Sequence, residues 1–154
     1  MRLVVQRISQ AWVSFGETET PHLGTGLLAL VGFHRDDSEA VLRPMAHKLL
    51  NLRVLNDDDG RMNRSLLDAG GELALVPQFT LYADCRKGRR PSFVQAQDPA
   101  VAEGLYDQFV THCREIVPSV ITGNFGANMA VHLVNDGPVT ILLDSEELRL
   151  TGRR

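Results

Sequence analysis

The chain has 154 residues, 44% of them hydrophobic, and a formal net charge of −3. That size and apolar fraction suit one domain with one core, read as 1–145 with a charged tail over 146–154, and the slightly acidic total argues against a broad nucleic-acid-coating surface while leaving room for a local basic site. No apolar run reaches the roughly 18–20 residues of a membrane span, and Met1-Arg2 leads directly into Leu3-Val4-Val5, so the expectation is a cytoplasmic protein without a signal peptide whose Cys85 and Cys113 are reduced thiols.

In chain order, Arg2–Ile8 and Ala11–Phe15 have strand composition, and Gly16-Glu17 reads as a turn. Gly26–Phe33 is a nearly continuous apolar run, as expected of a strand buried on both faces. Ser38 offers an N-cap, and Ala40, Val41, Met45, Ala46, Leu49 and Leu50 follow helical spacing to about residue 50. Pro44 inside that pattern predicts a kink or a late start. Leu52–Leu55 reads as a strand ending in the turn Asp57-Asp58-Asp59-Gly60, whose acidic cluster lacks the spacing and downstream Glu of a calcium loop. Glu72–Tyr82 is a long strand candidate with Pro77 in its middle, and Asp84–Ser92 is a loop. Asp98 as N-cap and Pro99 at the first position open a helix with Val101, Leu105, Phe109, Val110, Cys113 and Val117 on one face, stopped by Pro118.

Two apolar segments follow, Met129–Val134 and Val139–Leu143, separated by Asn135-Asp136-Gly137-Pro138. Because Pro lacks an N–H and sits poorly inside a sheet, the connector first reads as a hairpin turn. The predicted fold is α/β (α+β), a mixed, mainly antiparallel sheet with two main helices. Two helices leave one sheet face poorly covered, and a homodimer with sheets facing each other would cover it.

For chemistry, the five histidines are scattered without HxxxH or HxH spacing, so no metal is expected. No GxSxG elbow is present, and Cys85 reads first as a free thiol in a basic loop. That loop places Arg86, Lys87, Arg89 and Arg90 within five positions. It is either a solvated loop or a phosphate-backbone contact, with Phe93 beside it to stack on a base. Gln78 and Thr80 would share one face at strand period, lining a polar pocket or facing solvent; spacing alone does not choose.

Several runs are recognisable together: Val4-Val5-Gln6-Arg7, Met62-Asn63-Arg64-Ser65-Leu66, Gln78-Phe79-Thr80-Leu81-Tyr82, Cys85-Arg86-Lys87-Gly88-Arg89-Arg90-Pro91-Ser92-Phe93, Thr122-Gly123 with Phe125-Gly126-Ala127 and Met129, and Asn135-Asp136-Gly137-Pro138-Val139-Thr140. With these in order, the chain resembles the D-aminoacyl-tRNA deacylase family over nearly its whole length. The resemblance implies the deacylase-like fold and a homodimer with active sites at the subunit interface. Its substrate would be aminoacylated tRNA, with no cofactor. It assigns Gly137 and Pro138, joined in cis and braced by Arg7, as a chirality filter inserted into the other subunit. Gln78, Phe79 and Thr80 would be the catalytic segment, either with Thr80 as nucleophile or with the tRNA 2′-OH assisting and backbone N–H groups holding the oxyanion. Arg86, Lys87, Arg89 and Arg90 would hold tRNA. The implied activity is hydrolysis of D-aminoacyl-tRNA, with glycyl-tRNA also cleaved and L-aminoacyl-tRNA excluded. One departure is Pro77, where the family usually has Ser. It opens two alternatives, a deacylase of relaxed or altered selectivity and a non-catalytic tRNA-binding homologue.

Overall fold

A computed structural model describes residues 1–150; the end of the predicted tail, 151–154, lies outside the described residues. Arg2–Phe15 forms a single strand, β1, rather than two. It is followed by β2 (Thr18–Glu19) and β3 (Gly26–Gly32). A 3-10 turn over Glu39–Val41 then leads into α1 (Leu42–Leu50). Pro44 thus falls in the first helical turn, where its missing N–H has no intrahelical partner to lose, and the helix does start late. The strand expected over Leu52–Leu55 begins only at Leu55: β4 (Leu55–Asn56) pairs with β5 (Met62–Arg64) around the Asp57–Gly60 turn. A short α2 (Leu66–Ala69) carries a Ser65/Asp68 capping box, and β6 (Glu72–Pro77) returns through the core.

The next helix, α3 (Pro99–Arg114), opens as the sequence indicates, with Asp98 Oδ1 accepting from the Ala100 N–H at 3.0 Å and the Val101 N–H at 3.4 Å. Its buried face is Ala102, Leu105, Tyr106, Phe109, Val110 and Cys113, while Val101 of the predicted face is exposed. Ala40 is likewise exposed, because it belongs to the 3-10 turn ahead of α1. The chain then runs through β7 (Val120–Thr122) and β8 (Ala130–Asp144). Among the described residues no helix is long and apolar enough to cross a membrane.

The sheet is mixed: β1 is antiparallel to β2, β3 and β8, and β3–β6–β7 run parallel. Helices α1 and α3 cover one face, packing on Leu3, Val5, Leu27, Ala29, Leu73 and Leu75. The other face is partly closed by the sheet itself. A register shift between Ile8 and Gln10 puts Ile8, Ala11 and Val13 together, and the curled far half of β1 packs them on Leu28, Ala74 and Val76. Curling is the expected consequence of a bulge in a long twisted strand. The described part of the tail turns back as well, with Leu148 and Leu150 on the core.

The connector Asn135–Pro138 is not a hairpin turn. Residues on both sides of it pair antiparallel with the same strand, β1, with a register shift across the connector: Gln6 faces Thr140 and Ile8 faces Asn135. Asp136–Val139 is therefore an insertion in a continuous strand, standing opposite Arg7 alone.

Candidate active site

The strand expected to continue to Tyr82 ends at Pro77, because the chain turns at Gln78 into a 3-10 turn over Phe79–Tyr82. Pro77 is tolerated there for a specific reason. The neighbouring Gln78 N–H points toward β3 and donates to the Val31 carbonyl at 2.7 Å. The Pro77 nitrogen therefore points the other way, past the last β6–β7 pair at Leu75 and Thr122. Strand alternation does not bring Gln78 and Thr80 together; the turn does, with the Gln78 amide donating to the Thr80 hydroxyl. The far end of the turn is held by Arg2, whose guanidinium donates to the Leu81 carbonyl at 3.1 Å and lies 4.6 Å from the Tyr82 ring centre.

A cavity of about 680 Å³ opens beside this turn. Its walls include Pro77, Gln78, Phe79, Phe93, Phe125 and Met129. The cavity thus unites the Gln78-Phe79 segment with the Phe125–Met129 run, which the sequence marked as recognisable without a role. Thr80 is not in the wall. The N–H groups of Phe79 and Thr80 open the 3-10 turn, where helical donors lack intrahelical partners, and they meet no acceptor among the described residues. Two free donors beside a largely apolar cavity are suited to a carbonyl oxygen that gains negative charge.

The second predicted cluster is separate from this cavity: Arg7, Gly137 and Pro138 are not in its wall. The Gly137–Pro138 peptide bond is cis, and both residues are exposed. Arg7, only 7% exposed, braces them from beneath. Its Nε donates to the Asp136 carbonyl at 2.7 Å, and one terminal nitrogen donates to the Val54 carbonyl and to Asn56 Oδ1, both at 2.9 Å. A Cβ on Gly137 would stand 2.7 Å from Val139 Cγ2 and 2.9 Å from Val139 N, and its φ of +143° disfavours side chains as well. Two residues here were given no role from sequence. The Asn135 side chain clamps the neck of the insertion, accepting from the Val139 N–H at 2.7 Å and donating to the Val139 carbonyl at 3.2 Å and the Thr140 hydroxyl at 3.0 Å. Asn56 shares Arg7 with the insertion. An Asn before a Gly-Pro is a recognisable backbone clamp, whereas nothing local marks Asn56.

The basic loop is closed at its base by paired backbone bonds between Asp84 and Ser92, at 2.7 and 2.9 Å. Arg86, Lys87, Arg89 and Arg90 are all exposed on it. Arg86 is already engaged, donating to both Asp84 oxygens at 2.9 and 2.6 Å, and these bonds hold the Asp84 carboxyl down at about 2. Cys85 is exposed on the same loop. Cys113 lies on the buried face of α3, and burial pushes its thiol up to about 12.

The family model described as D-Tyr-tRNA(Tyr) deacylase matches residues 4–144. The chain belongs to this family. A D-aminoacyl-tRNA deacylase of Roseiflexus sp. (strain RS-1) is 56% identical over 149 residues, covering 97% of this chain and 96% of that one. One from Thermosipho africanus (strain TCF52B) is 49% identical, covering 96% and 99%. A solved structure of a c-Myc DNA Unwinding Element Binding Protein matches with a TM-score of 0.89 at 39% identity, covering 94% and 99%. That of a probable eukaryotic D-amino acid tRNA deacylase matches in fold, with a TM-score of 0.81 at 21% identity over 92% and 97%. The D-Tyr-tRNA(Tyr) deacylase match contains both site clusters, the cavity beside Phe79 and the Arg7-braced insertion, as well as the basic loop. Members of the family are hydrolases acting on ester bonds, and the mixed, mainly antiparallel sheet with few helices is the fold of the solved deacylase.

Proposed function

We propose that the protein hydrolyses the ester bond between a D-amino acid and the 3′ end of tRNA, releasing free tRNA and the D-amino acid. The observation that carries this reading is the pair of unpartnered N–H groups, Phe79 and Thr80, beside the Gln78–Phe79 cavity. In the proposed reaction water attacks the ester carbonyl and the oxygen that gains charge is held by those N–H groups. The carbon–oxygen bond to the ribose then breaks, and the ribose oxygen takes up a proton, with the neighbouring 2′-OH assisting. Thr80 is assigned no nucleophilic role: its hydroxyl accepts from the Gln78 amide, which is no base, and an unactivated hydroxyl is a weak nucleophile.

Selectivity is assigned to a homodimer. The Gly137–Pro138 element is exposed, braced by Arg7 and outside its own subunit's cavity, which suits insertion into a second subunit's cavity. There its carbonyl oxygens would crowd the substrate Cα on the side an L side chain needs. Glycyl-tRNA, with no side chain, would pass. The cations Arg86, Lys87, Arg89 and Arg90 would hold the tRNA backbone, with Arg86 contributing least because Asp84 already neutralises it. Residues 1–145 would act as the deacylase domain, with 146–154 a charged tail, working on aminoacylated tRNA in the cytoplasm.

Single-turnover hydrolysis of D-tyrosyl-, L-tyrosyl- and glycyl-tRNA tests the reading. The D and glycyl esters are expected to be cleaved and the L ester spared; an inert D ester would leave only a tRNA-binding homologue. Pro77 supports a second reading, relaxed selectivity, because it sits in the cavity wall in place of a hydroxyl-bearing residue. Pro77→Ser is then expected to shift the ratio of D to glycyl cleavage, and an unchanged ratio removes Pro77 from recognition.

A further inference from the structure

The aromatic partner of Phe79 comes from the basic loop. Phe79 is 57% exposed on a turn only four residues long, with no side-chain cap at its start. Its ring meets that of Phe93, with centres 5.0 Å apart and planes at 69°, an edge-to-face pair. Phe93 also lines the cavity. Its own position is set from both sides. Ahead of it, the Asp84–Ser92 backbone bonds close the cationic loop. Behind it, the Ala96 N–H returns to the Phe93 carbonyl at 2.9 Å, and the following residues are tied to the end of β3, with Gln97 N–H on the Phe33 carbonyl at 3.0 Å and Arg35 N–H on the Gln95 carbonyl at 2.9 Å. Phe93 is thus a fixed post beside the Phe79 side chain, while Arg2 and the Val31 carbonyl hold the backbone at the two ends of the turn.

We propose that Phe93 is a positioning residue for the deacylation: it holds Phe79, and through it the Phe79 and Thr80 N–H groups, in register with the cavity. This rests on the reading that those N–H groups stabilise the reacting carbonyl. An edge-to-face pair contributes enough to shift a rate by about threefold to tenfold. The effect belongs in the chemical step, because a misaimed donor weakens the transition state more than the bound ester.

The test uses the full-length protein and two substrates, D-tyrosyl-tRNA and the D-tyrosyl ester of adenosine, which lacks the tRNA body. Phe93→Ala and the bulkier Phe93→Leu are expected to lower the single-turnover rate constant about threefold to tenfold on both substrates, with KM little changed, and Phe93→Tyr is expected to restore it. Thermal melts select the variants that fold, and Phe93→Leu serves if Phe93→Ala does not. Wild-type rates in Phe93→Leu overturn the proposal. So does a rise in KM confined to the tRNA substrate, which makes Phe93 a tRNA contact, or a rise in KM on both at an unchanged rate constant, which makes it a simple binding wall. If the wild type itself leaves both esters intact, it is the deacylase reading that fails.

Discussion

Arg7 illustrates how one side chain can hold a functional element in place. A buried guanidinium must have its donors met, and here they are met by the Asp136 carbonyl, the Val54 carbonyl and Asn56, three groups remote from Arg7 in sequence. Lys cannot reproduce that fork because its single ammonium cannot meet divergent acceptors in a plane. Arg7→Lys is expected to cost about 2–4 kcal/mol in urea unfolding and to raise cleavage of L-tyrosyl-tRNA relative to D. An intact stability and an intact D/L ratio would show that Arg7 is not the brace. On the proposed mechanism Thr80 is the opposite case, a polar side chain beside the site that the chemistry would not need. Its hydroxyl receives the Gln78 amide and has no histidine or carboxylate partner among the described residues. Thr80→Ala is expected to keep the single-turnover rate within about tenfold of wild type, and a folded variant slower by several orders of magnitude would make Thr80 the nucleophile.

Among the elements, α3 was legible from sequence because its signals are local: Asp98 and Pro99 mark its start, and the buried face repeats at helical spacing. So was β3, whose apolar run is as buried as its composition indicates. The last strand was not. Asn135–Pro138 has the composition of a turn, and only the partner shows that both flanks stay paired with β1 across a four-residue insertion. The Phe79–Tyr82 turn was hidden for a similar reason, since Phe-Thr-Leu-Tyr is good strand composition and the strand ends where pairing with β3 ends, at Val31 and Pro77. The site suffered accordingly: Gln78, Phe79, Arg7, Gly137 and Pro138 were identified by motif, but that they form two separate clusters is a property of pairing. The parallel pair at the centre of the sheet makes its own demand. A Cβ on Gly26 would lie 1.9 Å from the Glu72 carbonyl oxygen, with backbone on the other side of the contact and nothing able to swing away. Gly26→Ala must push β3 and β6 apart where they start to pair, at a cost expected to exceed about 4 kcal/mol. A melting temperature within a few degrees of wild type would show that the strands separate there without penalty.

At the scale of the whole molecule, one sheet face remains to be covered, and its position decides how the two site clusters can meet. Curling of β1 buries the stretch around Ala11 and Val13 but covers the row Leu142–Val4–Leu30, formed by neighbouring positions of β8, β1 and β3, only in part: Leu30 and Val4 are half-buried and Leu142 is exposed. Leu142 is 74% exposed. At one end of this face the row Thr140–Gln6–Leu28 adjoins the Gly137–Pro138 insertion; at the other, Leu30 pairs with Val76 in the cavity wall. A self-complementary contact whose two-fold axis crosses between the two ends of a face brings each end against the opposite end of its copy. Pairing two copies through this face would therefore set each insertion against the other subunit's cavity, joining clusters that a single chain keeps apart. A stable interface of this kind needs roughly 800 Å² from each partner, more than one leucine supplies, so Leu142 would be one member of a larger patch, and a charge there would be buried without a partner. Leu142→Asp is expected to turn a dimer into a monomer by light scattering at micromolar concentration and, in that monomer, to abolish the preference for D over L esters, since the filter would no longer reach the cavity. Far-UV circular dichroism should be unchanged, because the side chain projects into solvent in the isolated chain. A wild-type protein that is monomeric yet still rejects L-tyrosyl-tRNA would place the chirality filter within one subunit and remove the cross-subunit role from Gly137 and Pro138.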